Sequence, residues 1–222
     1  METSNSRRRV FVTGGTGYLG QRLIPALLAR GHEVRALVRP GSEKRLPPGC
    51  AAVQGNALEA SSYASQVAPA DTLVHLVGVS HPAPWKEEQF KQVDLGSARA
   101  SAAAAQEAGI RHFVYLSVAQ PAPAMRAYVA IRAQCEALIT ATGIPATFVR
   151  PWYVLGPGHR WPYLLIPFYA MAERFPSVRG TARRIGLVTL RQMMATLVWA
   201  VENPPERARI LDVEAIRRGG AS

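Results

Sequence analysis

Apolar positions along the chain fall into two alternating rhythms. Residues 10–13 (VFVT) form a short apolar run that ends in glycines, the mark of a buried strand. From 20 to 30 (GQRLIPALLAR), Leu23, Leu27 and Leu28 recur at helical spacing, and Gly31 stops the helix. Pro25 falls in the first turns, where it does least harm. Residues 33–38 (EVRALV) alternate as a second strand, 51–54 read as a weaker third, and 72–77 (TLVHLV) as a fourth. A long helix is predicted over 86–108, alanine-rich and closed by Gly109. A fifth strand follows at 112–117, then a helix over 125–142 closed by Gly143, and a sixth strand at 146–150 stopped by Pro151.

Strands alternating with helices predict an α/β fold, a doubly wound parallel sheet with right-handed crossovers. After Pro151 the rhythm changes to an aromatic- and proline-rich stretch, followed by a helix near 190–202 and a last strand near 210–213. The expected organisation is a dinucleotide-binding domain over 8–155 and a small C-terminal substrate lobe over 156–218 packed on it.

The main motif is Thr13-Gly14-Gly15-Thr16-Gly17-Tyr18-Leu19-Gly20. It follows a strand and opens a helix, the context that a phosphate-cradling loop requires. Glycine is needed because a Cβ would keep a pyrophosphate off the backbone, and the helix start supplies free N–H groups. Gly14, Gly17 and Gly20 are the expected contacts, with Thr16, Tyr18 and Leu19 alongside. The second strand ends at Arg39 rather than at an acid, with Lys44 and Arg45 following. A guanidinium suits a 2′-phosphate, so NADP(H) is preferred, with NAD(H) the alternative.

These residues, with EVRALVRPGSEK, QGNAL, LVHLVG, RHFVYLS, AYVAIRAQCEAL and FVRPWYVLGPG, resemble the short-chain dehydrogenase/reductase superfamily. The likeness is to its atypical NAD(P)H-binding members, the nitrogen-regulator-like sensors and the relatives of a respiratory complex I accessory subunit. It is clear over residues 9–155 and loose beyond. It implies that Asn56 and Ala57 lie near the adenine and that Leu76, Val77 and Gly78 run along the cofactor. Active members use Ser, Tyr and Lys. Tyr128 and Arg132 stand at the Y-x-x-x-K spacing, with Arg in place of Lys. Val118 holds the position of the catalytic serine, which leaves Ser117 as a substitute only if the loop shifts. The alternative for Tyr128 is an aromatic packing on its helix face, and for Arg132 an ion pair with Glu136.

Composition then narrows the field. The formal charge is +11, from 26 basic residues of which only Lys44, Lys86 and Lys91 are lysine. The arginines are scattered and no nucleic-acid motif accompanies them, so no sequence-specific nucleic-acid binding is expected. Cys50 and Cys135 are too few for a disulfide framework, which points to a reducing, cytoplasmic setting. The N-terminus does not read as a signal peptide and no apolar run is long enough to span a bilayer. The histidines lack metal spacing, and no metal is expected. His75 reads as a core residue. His81 and Trp85, and His159 with Arg160, read as residues near a substrate entrance. Residues 161–175 suggest a lid or a self-association contact, with a peripheral membrane contact as the less favoured reading.

The implied function is an NADP(H)-dependent oxidoreductase acting on a small or apolar substrate. The rival is a non-catalytic NAD(P)H sensor or assembly module. A sugar-nucleotide epimerase is permitted by the resemblance and disfavoured by the short C-terminal stretch.

Overall fold

The structure, a computed structural model, describes residues 7–122, 124–157 and 185–220. Its centre is a seven-stranded sheet built in chain order from β1 (Arg9–Thr13), β2 (Glu33–Val38), β3 (Ala51–Gln54), β4 (Thr72–His75), β5 (His112–Leu116), β6 (Ala146–Val149) and β9 (Ala208–Leu211). The spatial order is β3-β2-β1-β4-β5-β6-β9, and every pairing is parallel. The order reverses between β1 and β4. In such sheets a ligand crevice opens at that point, outside the carboxyl ends of the strands.

Both faces of the sheet are covered, which is why the central strands β1, β4, β5 and β6 are buried along nearly their whole length. Val10, Val12, Val74 and Val114 face one core with Leu23, Ile24 and Leu27 of α1 (Gly20–Ala29). Phe11, Leu73, Phe113 and Tyr115 face the other. There they meet α3 (Gly96–Glu107) and α4 (Arg126–Ala141), which present Ala98, Ala104, Ile131, Cys135 and Ile139.

The segment expected as one helix over 86–108 is segmented. A short α2 (Glu87–Gln89) runs into a π-helical turn, Phe90–Leu95, and only then into α3. The wider turn carries Phe90 and Asp94, both fully buried, into the domain.

Beyond Pro151, β7 (Tyr153–Leu155) pairs in parallel with β8 (Leu187–Thr189), a ladder that the sequence reading did not anticipate. Helix α5 (Leu190–Glu202) follows, started by a capping box in which Thr189 and Gln192 exchange side-chain and backbone hydrogen bonds. Its Met193, Leu197 and Val201 join the α1 core. The last strand runs over Ala208–Leu211 and not on to 213. Asp212 accepts a hydrogen bond from the Ala215 amide at 2.9 Å and starts α6 (Val213–Arg217) instead. No helix of the described residues is long and apolar enough to cross a membrane. His159, Arg160 and the 161–175 segment lie outside the described residues.

Candidate active site and cofactor groove

The glycine loop sits where β1 hands over to α1. Gly14 has φ +78°, and a Cβ there would stand 2.9 Å from the Leu76 carbonyl carbon. A Cβ on Gly20 would stand 2.6 Å from Gly15 Cα. These two glycines let the loop lie tight against the end of β4 and the helix tight against the loop. Gly17 differs, because its absent Cβ would meet only the Gly14 carbonyl oxygen, at 3.1 Å, and its free side opens on a groove.

That groove has a volume of about 500 Å³. Gly14, Thr16 and Gly17 line it at the phosphate loop, Arg39 at the end of β2, Asn56 and Ala57 after β3, and Leu76, Val77 and Gly78 after β4. Nine expected cofactor contacts from four separate stretches of chain thus share one cleft. Tyr18 and Leu19 turn to the neighbouring cavity instead, and Gly20 serves packing. Arg39 is exposed at the rim. Arg45 donates from Nη2 to the Thr16 carbonyl at 2.9 Å, tying the β2–β3 loop to the phosphate loop. Asn56 spends its side-chain oxygen on the Leu58 amide, at 3.1 Å. A backbone-walled cleft at a helix start, where the strand order reverses, fits a dinucleotide.

The second cavity, about 310 Å³, adjoins the loop through Tyr18 and Leu19. Val118, Met125, Tyr128, Trp152, Tyr153 and Val154 supply most of the remaining wall, with His81 and Pro82. Among the described lining residues none carries a carboxylate, lysine or arginine side chain. Two of them, His81 (φ 52°) and Met125 (φ 57°), hold left-handed backbone, a conformation that costs energy for residues with a Cβ and gathers at functional sites.

Tyr128 lies in the first turn of α4, half-buried, its ring 4.9 Å from that of Phe90. Burial raises its hydroxyl above the usual phenol range, and the Arg132 charge pulls it back. Arg132 is only 4% exposed, with its guanidinium carbon 5.2 Å from the Tyr128 ring centre. Its Nη2 lies 2.6 Å from Asp94 Oδ1, and its Nη1 donates to the Tyr115 hydroxyl at 3.1 Å and the Leu116 carbonyl at 2.8 Å. Nη2 also fills the space that a Cβ on Gly78 would need. The guanidinium thus sits directly behind the groove wall. Burial disfavours its charge, but Tyr128, Tyr115 and Asp94 around it outweigh that and keep it cationic.

The Arg132–Glu136 pair weighed from the sequence does not form. Glu136 binds Arg150 instead, through Nε at 2.9 Å and Nη2 at 2.5 Å. The same carboxylate accepts from Ser117 Oγ at 2.5 Å and Gln120 Nε2 at 2.9 Å. Ser117 is buried in this cluster, while Val118 beside it faces the cavity. His75 is a core residue, as expected, bonded through Nδ1 to Thr13 and Ser101 at 2.8 and 2.9 Å. Burial, then the Arg132 charge, pushes its pKa down to about 3, so it stays neutral. Asp94 went unnoticed in the sequence. Its signal was a lone carboxylate between Val93 and Leu95 in a helical stretch, followed by small residues that pack inward.

Residues 14–160 match the family model described as NAD(P)H-binding. A ceramide reductase of Caulobacter vibrioides is 27% identical over 219 residues, covering 98% of this chain and 68% of that protein. A farnesyl-dihydroquinoline-oxide ketoreductase of Stigmatella aurantiaca is 30% identical over 170 residues, 67% of this chain and 51% of the other. A 3-beta-hydroxysteroid dehydrogenase of Mycolicibacterium neoaurum is 33% identical over 114 residues, 48% and 31%. The chain thus spans about one third to two thirds of the length of these relatives. Among solved structures, the Bordetella bronchiseptica enzyme WbmH in complex with NAD+ superposes with a TM-score of 0.68 at 18% identity. The match covers 92% of this chain and 75% of that one, and is a likeness of fold.

Proposed function

The chain belongs to the NAD(P)H-binding family, and from that premise we propose an NADP(H)-dependent oxidoreductase that interconverts a carbonyl and an alcohol on an apolar substrate. The carrying observation is the junction of two chambers at one loop. Gly14, Thr16 and Gly17 wall a groove of about 500 Å³, and Tyr18 and Leu19 wall an adjoining apolar cavity that Tyr128 also lines. When bound, the reduced nicotinamide supplies the hydride. Tyr128, kept protonated by its burial, donates its hydroxyl proton to the substrate oxygen and recovers one from solvent. Arg132 acts from behind the groove wall, holding the Tyr128 hydroxyl within reach of ionisation rather than gripping the ribose. Val118 offers no hydrogen bond, so Tyr128 polarises the carbonyl without a serine. Arg39 receives the 2′-phosphate, with Lys44 nearby in sequence. The described lining of both chambers lies within residues 8–155, while β9 and α5 beyond them join the same sheet and core.

The apolar wall favours a neutral, lipid-like or aromatic ketone, in keeping with the named substrates of the ceramide and farnesyl-quinoline relatives. The test is oxidation of NADPH at 340 nm against a panel of apolar ketones. Turnover that Tyr128→Phe abolishes supports the reading. Tight NADPH binding without turnover, unchanged by Tyr128→Phe, favours the sensor, to which the valine at 118 and the Asp94-bound Arg132 lend support.

A further inference from the structure

Trp85 is 83% exposed, while the other large apolar side chains that face solvent among the described residues, Leu58 and Ile210, stand at 45% and 51%. The indole is held out rather than left loose. Pro82 and Pro84 stiffen its loop, and Lys86 Nζ donates to the Ser80 and His81 carbonyls at 3.1 Å each, closing residues 80–86 into a compact turn. His81 and Pro82 of that turn line the apolar cavity, so Trp85 stands beside its mouth. The segment Pro84–Lys86 packs against α4. At the start of α4, Met125 lines the same cavity, and Arg126 next to it is exposed, with no hydrogen bond or ion pair among the described residues. A cation in the first turn opposes the helix dipole, and α4 has no acid there to offset it. A second guanidinium, that of Arg22, lies 4.1 Å over the ring of Tyr18, another wall residue. The acids that follow Trp85 are engaged, Glu87 with Lys91 at 3.0 Å and Glu88 with Gln92 at 3.2 Å.

An indole held in water beside an apolar chamber, with an unpaired guanidinium set against its own helix dipole, has the chemistry that suits an anionic bilayer surface. Indoles settle at the level of the headgroups, and arginines are drawn to acidic lipid. The formal charge of +11 attracts such a surface from a distance. We propose that the mouth of the apolar cavity docks on an anionic phospholipid bilayer, with Trp85 inserted among the headgroups and Arg126 on their phosphates. Docked in this way, the cavity takes an apolar substrate directly from the lipid, without passing it through water. What enters rests on the oxidoreductase reading, and the docking does not.

The experiment mixes the full chain with vesicles of equal parts phosphatidylcholine and phosphatidylglycerol, and with vesicles of phosphatidylcholine alone, and reads the bound fraction by flotation. Binding is expected to the mixed vesicles and to be about tenfold weaker to the neutral ones. Trp85→Ala is expected to weaken binding to the mixed vesicles about tenfold and Arg126→Glu about fivefold. Urea midpoints should stay put in both variants, because both side chains are exposed. A folded protein that ignores the mixed vesicles overturns the proposal. Binding that Trp85→Ala leaves unchanged also overturns it, because the contact then lies elsewhere on the chain. Self-association that Trp85→Ala abolishes, without any vesicle binding, assigns the indole to a second copy and overturns it as well. Failure to oxidise NADPH with every ketone would sink the oxidoreductase reading alone, because flotation needs no turnover.

Discussion

Arg132 Nη2 stands where a Cβ on Gly78 would be, so the bare backbone of the groove wall and the buried cation behind it require each other. Replacing Gly78 with alanine forces the guanidinium to move, which breaks its contact with Asp94 or with Leu116. Gly78→Ala is expected to destabilise the fold by about 1–3 kcal/mol, seen in urea unfolding, and to weaken NADPH binding. A protein of unchanged stability and affinity would contradict this geometry.

Gly17 should behave in the opposite way. A Cβ there meets one carbonyl oxygen at 3.1 Å and otherwise enters the groove. Gly17→Ala is expected to unfold within about 1 kcal/mol of the original protein while its affinity for NADPH drops about tenfold or more. Fluorescence titration of NADPH, run beside a denaturation curve, separates the two effects.

On the proposed reading, coenzyme choice rests on Arg39, just beyond β2. Arg39→Ala is expected to weaken NADPH about tenfold and leave NADH nearly unchanged, since a charge-assisted bond to phosphate is worth about 1.5–3 kcal/mol. Equal loss for both coenzymes would assign Arg39 to some other task.

Ser117 donates to Glu136 and is buried away from the apolar cavity. Ser117→Ala is expected to cost about 1 kcal/mol of stability with turnover per folded molecule preserved. A large loss of kcat in a stable protein would restore the serine to catalysis.

Two of the buried histidines, His75 and His112, set an acid limit. His75 is shifted down to about 3 and His112 to about 4, each mainly by burial. Their unfolded counterparts titrate near pH 6.5. Stability from keeping them neutral is therefore complete above about pH 6.5 and is lost as pH falls toward the folded values. By about pH 4 each withdraws up to roughly 3 kcal/mol. Urea midpoints should fall steadily from pH 7 to pH 4.5, and His112→Gln should flatten that slope.

Much of this arrangement was readable along the chain because it is local. β2 and β3 lie where the sequence places them, and the glycine loop is legible since strand, turn and helix are consecutive. What escaped was long-range or hidden by uniformity. The pairing of Tyr153 with Leu187 joins two three-residue strands across more than thirty positions. The π-helical turn lies before an alanine run in which any helical register looks equally good. Asp94 finds Arg132 from another element, and no spacing rule connects residues 38 positions apart.

The loop from Gly14 to Leu19 is a party wall, with coenzyme space on one side and the apolar chamber on the other. If both chambers fill as proposed, nucleotide before substrate is the expected order of arrival, because the second occupant rests on a partition that the first supports.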